Sequence, residues 1–384
     1  MNLSRRHFFL GSLALPAFAA TQPAGEKPNV LLLLVEGLPA WLLSCYGNTE
    51  VQAPNIFRLS QMSTRFLNHY ACAPISDSAE ATLVTGRTTM QLKAGGDANL
   101  EKLLSGIGYQ CGTSASGDEA VKFLDGQSKG KPFFLHAGFT PFEKLPADAG
   151  QYAQAKLDTF GREPAAKNAT HGRELLGAGL LETQRRIAAA TTALDAEIGK
   201  VLAKLTQKGL QEGTLILFTS PCGSLFGRHG LWGAGNSSEP LNLYEEVIAT
   251  PLLVSWLGRV VPGGTRPEVV SAYDLVPTIC DITPAALPNR NLCGRSYLAL
   301  AAGKPLPKKQ PWRTTVFAQY GDTAMARSDR YKLIVRADGK GPGELYDDKT
   351  DARERVNQYD NPQFLTVKTE LSAELAKWKR TYSA

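Results

Sequence analysis

Asn29-Val30-Leu31-Leu32-Leu33-Leu34-Val35, followed at once by Glu36-Gly37, is an unbroken apolar run that stops at an acidic residue and a glycine. A strand with one wet face would alternate apolar and polar side chains; this one does not, so it reads as buried on both faces, as in a parallel sheet covered by helices. Pro132 to Phe139, Thr214 to Ser220 and Pro251 to Leu257 have the same character and are expected as further central strands. Ahead of the Thr214 run, Leu181 to Gln207 carries Ile187, Ala190, Leu194, Ile198, Val201, Leu202 and Leu205 at spacings of three and four, which predicts a long amphipathic helix with Gly209 as its stop. The expected fold class is therefore α/β, a mostly parallel central sheet flanked by helices. In such sheets ligands sit beyond the carboxyl ends of the strands, so the residues just after Val35 and Ser220 are where a site is expected.

The last eighty residues change character. Extended stretches at Thr314 to Tyr320 and Tyr331 to Ala337, a Gly341-Pro342-Gly343 turn and a final amphipathic helix around Leu371 to Lys379 predict a small antiparallel subdomain. The expected organisation is an α/β domain over residues 27–306 and a carboxy-terminal subdomain over 307–384.

Of 384 residues, 43% are hydrophobic and 20% charged, enough to bury a large core. The formal charge of +6 is dispersed, with no long run of Lys or Arg, which argues against a nucleic-acid partner and against membrane-surface attachment. Residues 1–20 differ from the rest: Arg5-Arg6, an apolar run from Leu10 and the small residues of Ala17-Phe18-Ala19 read as a twin-arginine export signal, too short to span a bilayer. A periplasmic or extracellular location is the expectation, with no membrane association once the signal is removed. Six cysteines, Cys45, Cys72, Cys111, Cys222, Cys280 and Cys293, form no C-x-x-C pair and make no zinc site. Cys280 with Cys293 is the nearest pair in sequence, and both pairing and free buried thiols remain open.

The stretch from Lys27-Pro28-Asn29-Val30 to Glu36-Gly37, then Cys45-Tyr46-Gly47-Asn48 and Ala53-Pro54-Asn55-Ile56, resembles the opening of the sulfatase family of the alkaline phosphatase superfamily. The likeness continues through Leu83-Val84-Thr85-Gly86-Arg87, Gly108-Tyr109, Leu194-Asp195, His229-Gly230-Leu231-Trp232-Gly233, Tyr244-Glu245-Glu246 and Asp274-Leu275-Val276-Pro277-Thr278. It reaches Arg330-Tyr331-Lys332-Leu333 and Glu344-Leu345-Tyr346-Asp347, with Glu354 and Asn357, near the end. The resemblance implies hydrolysis of sulfate esters by a formylglycine hydrate, made from Cys or Ser, beside a calcium ion held by carboxylates.

The positions that would carry this chemistry have changed. The paired aspartates of the family fall on Glu36-Gly37, and the nucleophile segment, Cys or Ser then x-Pro-x-Arg, falls on Ser76-Asp77-Ser78-Ala79-Glu80. Serine survives at the modifiable position, whereas the arginine position holds a carboxylate. Two further metal ligands are replaced by Pro221-Cys222, and the Gly-Lys-Trp-His segment falls on Ala115-Ser116-Gly117-Asp118. The histidine expected near Phe139 to Pro146 is absent, and the lysine after His229-Gly230-Leu231-Trp232-Gly233 is Ala234. Ser76 as formylglycine position, His229 as a catalytic histidine, and Glu36 with Asp77 as metal ligands are the remaining candidates. Each has a plain structural counterpart: a loop or capping serine, loop packing against Trp232, and strand-end carboxylates bonded to backbone.

The expected function is an exported sulfatase-family protein that has lost sulfate-ester hydrolysis and binds a sulfated glycan or another exported protein. No cofactor is expected, and calcium is the ion if the site is functional. The alternative is a sulfuric- or phosphoric-ester hydrolase with a rearranged site around Ser76. Carboxylates at Glu36, Asp77, Glu80 and Asp118 with no cation among them would make a poor anion site.

Overall fold

The run Asn29–Val35 forms strand β1 in the computed structural model, which describes residues 27–92, 99–287, 291–337 and 341–383. The export signal expected over residues 1–20 lies outside the described residues. Val30 to Val35 are all buried; Val30, Leu32 and Leu34 pack into the core on one face, and Leu31, Leu33 and Val35 into that on the other. This two-sided burial is why the run does not alternate; each such side chain contributes roughly 1.5–3 kcal/mol relative to exposure.

Strands β2 (Ser63–Tyr70), β3 (Gln110–Ser114), β4 (Phe133–Phe139), β5 (Thr214–Thr219), β6 (Leu252–Ser255) and β7 (Thr265–Ser271) complete a seven-stranded sheet of order β3-β4-β1-β5-β6-β2-β7. All pairs are parallel except those of β6, which runs antiparallel to both β5 and β2. The long helix Leu180–Gln207 covers the face of Leu31 and Leu33 through Ile187, Leu194, Ile198, Val201 and Leu205. Gly209, at φ +65°, takes the left-handed turn that ends it. Helix Leu275–Ile282 covers the opposite face through Val276 and Ile279, and helix Leu365–Tyr382, which packs on the second sheet described next, adds Leu371, Leu375 and Trp378 to the same core.

Strands β8 (Val316–Tyr320), β9 (Thr323–Arg327), β10 (Tyr331–Arg336) and β11 (Glu344–Asp347) form a separate antiparallel sheet, consistent with the change of pattern in the sequence. The final helix begins six residues earlier than its apolar stripe announced, at Leu365, because its first turns are amphiphilic surface. All six cysteines are free thiols, so Cys280 and Cys293 are not paired. Among the described residues no helix is long and apolar enough to cross a membrane.

Several of the shared motifs turn out to be joints of this scaffold. Both Asp195 carboxylate oxygens accept from the first turn of helix Pro54–Gln61, at Asn55 N (3.1 Å) and Ile56 N (2.7 Å), tying the two motifs together. Asp274 is fully buried, closes a capping box with Ser271 and receives the Arg313 guanidinium at 2.7 Å. Lys332, also fully buried, bonds Glu354 and the Leu243 carbonyl, with Glu245 3.5 Å away. Arg327 lies between Glu245 (3.1 Å) and Asp348 (2.8 Å). Glu245, Asp348 and Glu354 bring their carboxylate oxygens within 4.8 Å of one another, but the Lys332 and Arg327 cations already occupy that space.

Candidate functional site

β1, β3, β4 and β5 all end on one side of the sheet, and a cleft of about 290 Å³ opens there. Its walls include Leu34 on β1 and Glu36 just beyond it, Thr113 and Ser114 on β3, His136 and Gly138 on β4, and Pro221 beyond β5. Glu80, from helix Ser76–Thr85, supplies the remaining acidic wall, and among the described residues no Lys or Arg lines the cleft. The position at the carboxyl edge of parallel strands is the one their geometry favours for a ligand.

Glu36 is therefore where the sequence put it: its backbone N–H donates to the Phe139 carbonyl at 2.8 Å and its side chain faces the cleft. Burial raises the Glu80 carboxyl above its ordinary range, and the neighbouring charges of Glu36 and Asp77 add to the rise. His136, held neutral by burial, lies with Nε2 3.8 Å from Glu80, too far for a hydrogen bond, and that nitrogen has no other partner among the described residues. Sequence reading missed His136. The signal available was a lone histidine at the centre of an otherwise apolar parallel strand.

Ser76 opens its helix, and its Oγ lies 3.4 Å from Cys222 Sγ. Cys222 is fully buried in a small apolar cluster with Ala71, Ala73 and Ala79, against which Ala234 packs. Burial drives its thiol up to about 12, the hydrogen bond to Ser76 opposing and the charges of Glu36 and Asp77 adding to the rise. The thiol is protonated at neutral pH and is no nucleophile. Asp77, in the first turn of the same helix, is exposed.

The other inherited positions have taken up structural work. Ser116 accepts from Glu119 N at 3.2 Å and caps helix Gly117–Asp125, whereas Asp118 is 79% exposed and pairs with Lys200 at 3.1 Å. Asp118 thus stands outside the acidic group in which the sequence reading counted it. His229 is not in the cleft either: its ring stacks on Tyr244 at 3.8 Å and its Nε2 lies 3.2 Å from Glu246. Its packing partner is Tyr244 rather than Trp232, which faces Phe226 instead.

This donor set does not fit a calcium ion. Hard cations take several oxygen ligands, whereas Pro221 offers no side-chain donor, Cys222 a protonated sulfur, and Gly37 nothing. Gly37 also has a left-handed backbone at φ +69°, and a Cβ there would come within 3.1 Å of Ser224 Oγ. What the arrangement offers chemically is a cleft with two carboxylates, a neutral imidazole and hydroxyl groups, attractive to cations and repellent to sulfate.

The sulfatase family pattern matches residues 28–115 and 103–285, and that of the N-sulphoglucosamine sulphohydrolase carboxy-terminal region matches 240–381. The chain is 21% identical to an N-acetylglucosamine-6-O-sulfatase of Bacteroides thetaiotaomicron, across 97% of this chain and 90% of that one. It is 24% identical to human arylsulfatase A across 75% and 71% of the two chains. The crystal structure of the phosphonate monoester hydrolase of Agrobacterium radiobacter superposes with a TM-score of 0.76 at 18% identity, covering 93% of this chain and 96% of that one.

Proposed function

We propose, from the premise that this chain belongs to the sulfatase family of the alkaline phosphatase superfamily, that it is a catalytically degenerate member which binds a glycan rather than hydrolysing a sulfate ester. The observation that carries the reading is the apolar cluster of Ala71, Ala73, Ala79, Cys222 and Ala234. Cys222 and Ala234 stand where the resemblance expects a metal ligand and a sulfate-binding lysine, and both now pack as hydrocarbon and thiol. Hydrolysis needs charge stabilisation of the leaving oxygen and of the transferred group. Ser76 has Cys222 beside it, with Glu36, Asp77 and Glu80 as the nearby charges, and these oppose an approaching anion.

In this reading Ser76 stays an unmodified serine, and neither Glu36 nor Asp77 holds calcium. The paired arginines and the apolar run of residues 1–20 support export by the twin-arginine route to the periplasm or beyond. The test is hydrolysis of para-nitrophenyl sulfate and para-nitrophenyl phosphate, with and without added calcium. No turnover above buffer is expected. Turnover that Ser76→Ala abolishes would establish the active, rearranged hydrolase instead.

A further inference from the structure

The parallel strands of the large sheet all begin on one edge, and β6, which runs the other way, ends there. The cleft lies at the opposite edge. β1 has seven residues, so about 23 Å of strand separates the two. The turns on the amino-terminal edge are residues 27–28, 62, 106–109, 126–132, 208–213 and 256–264. Among the described residues they carry Lys27, Lys129, Lys131, Lys208 and Arg259 against one acid, Glu212. Far apart along the chain, these bases read as dispersed charge; the sheet gathers them.

Contacts with the scaffold hold several of them in place. Lys27 Nζ donates to the Ile107 carbonyl and Lys208 Nζ to the Asp125 carbonyl, each at 2.7 Å. The Asp125 carboxylate is taken by Lys204 at 2.9 Å. Lys129 lies over Gly209, where a Cβ would be 3.6 Å from its Nζ. Lys129, Lys131 and Arg259 are exposed and make no ion pair with a carboxylate among the described residues. Beside Arg259, the same turn leaves Leu257 46% and Val261 39% exposed. Arg266 and Lys304 border this apolar tip, since a Cβ on Gly303 would lie 2.9 Å from Val261 and 3.3 Å from Arg266.

We propose that this amino-terminal edge docks on the surface of an anionic phospholipid bilayer, its lysines and Arg259 meeting headgroup phosphates and Leu257 and Val261 entering the interface. Charge complementarity selects the anionic surface, where the contributions of several bases add. The exposed apolar tip selects a bilayer over a soluble polyanion, because an interface offers hydrocarbon beneath its charged layer. The point of attachment agrees: the export signal read in residues 1–20 leads into Lys27, on this edge. Docked this way, the cleft opens away from the bilayer. The proposal sets aside the sequence expectation of no membrane association after signal removal. It uses no residue of the cleft and stands whether or not the protein turns over an ester.

The experiment is vesicle co-sedimentation of the chain freed of residues 1–20, which keeps both sheets. The probes are vesicles of phosphatidylglycerol with phosphatidylcholine, vesicles of phosphatidylcholine alone, and dextran sulfate as a soluble polyanion. Binding to the anionic vesicles is expected to exceed binding to the neutral ones by at least about tenfold and to fall at least about tenfold between about 0.05 M and 0.5 M sodium chloride. Lys129→Glu, Lys131→Glu and Arg259→Glu together are expected to weaken it by at least about tenfold, and Leu257→Ser to weaken it at any salt concentration. These side chains are exposed, so the melting temperature should hold. Lys144→Glu with Lys167→Glu, exposed in the loops at the cleft edge, should leave binding unchanged. Equal binding to neutral vesicles, no vesicle binding, or an equal loss from the Lys144 and Lys167 reversals overturns the proposal. Retention on dextran sulfate without vesicle binding overturns it in favour of a soluble polyanion.

Discussion

Ser76 Oγ and Cys222 Sγ sit 3.4 Å apart, a hydroxyl and a protonated thiol facing each other where the family resemblance places a nucleophile and a metal ligand. Neither atom carries charge, and the cysteine packs into an apolar cluster with Ala71, Ala73 and Ala79. The contact locks both side chains into packing roles and leaves the carboxylates of Glu36 and Glu80 to define the cleft beside it.

Cys222 should resist alkylation. With its thiol held up to about 12 and no exposed surface, iodoacetamide at pH 8 is expected to leave it unlabelled in the folded protein and to label it fully in denaturant, as read by peptide mass spectrometry. Rapid labelling in the native state would show that the apolar cluster opens.

Restoring a carboxylate at this position should destabilise the fold rather than rebuild an ion site. Cys222→Asp buries a charge among alanines near Glu36 and Asp77, and a loss of about 3 kcal/mol is expected in urea unfolding. Added calcium should leave that loss in place; rescue by calcium would mean that oxygen ligands converge there after all.

Asp195 offers a test of the scaffold apart from the site. Its carboxylate accepts from Asn55 N, Ile56 N and Asn55 Nδ2, and Asp195→Ala strands those donors against a buried surface. A loss of about 2–4 kcal/mol is expected, with the circular dichroism of the remaining protein unchanged.

Acid sensitivity should begin with His69. Burial lowers its folded-state pKa from 6.5 to about 4, the hydrogen bond to Thr250 opposing, so the unfolded chain takes up the proton first as pH falls. Its effect on stability is absent above pH 6.5, grows as pH drops and is complete near pH 4, at about 3 kcal/mol. Glu246 extends the fall: burial raises its carboxyl, but the hydrogen bond and charge of His229 and the charge of Arg228 prevail and hold it at about 2. Melting temperature followed from pH 7 to pH 3 should decline throughout, and His69→Gln should flatten the part above pH 4.

The strands and the long helix were legible because burial on both faces leaves an apolar run with no alternation, as in Asn29–Val35, and burial on one leaves a spacing of three and four, as in Leu180–Gln207. Glu36, Ser76 and Asp77 were legible through motif position, and the structure does place them around one end of the sheet. Three-dimensional neighbours without a motif were not. His136 lies 56 residues along the chain from Glu80, and nothing local in FFLHAGF says which face it takes or what meets it there. Asp118 and His229 misled for the same reason. Their partners, Lys200, Tyr244 and Glu246, are distant in sequence or belong to motifs already read as packing.

A calorimetric titration of the full chain with calcium, accompanied by thermal melting across the same concentrations, bears most directly on the claim that the family's ionic site has been replaced by packing. The account predicts no saturable heat and no shift in melting temperature. Saturable binding with a rise in melting temperature, removed by Glu36→Gln, would contradict it and return the protein to the metal-dependent hydrolases.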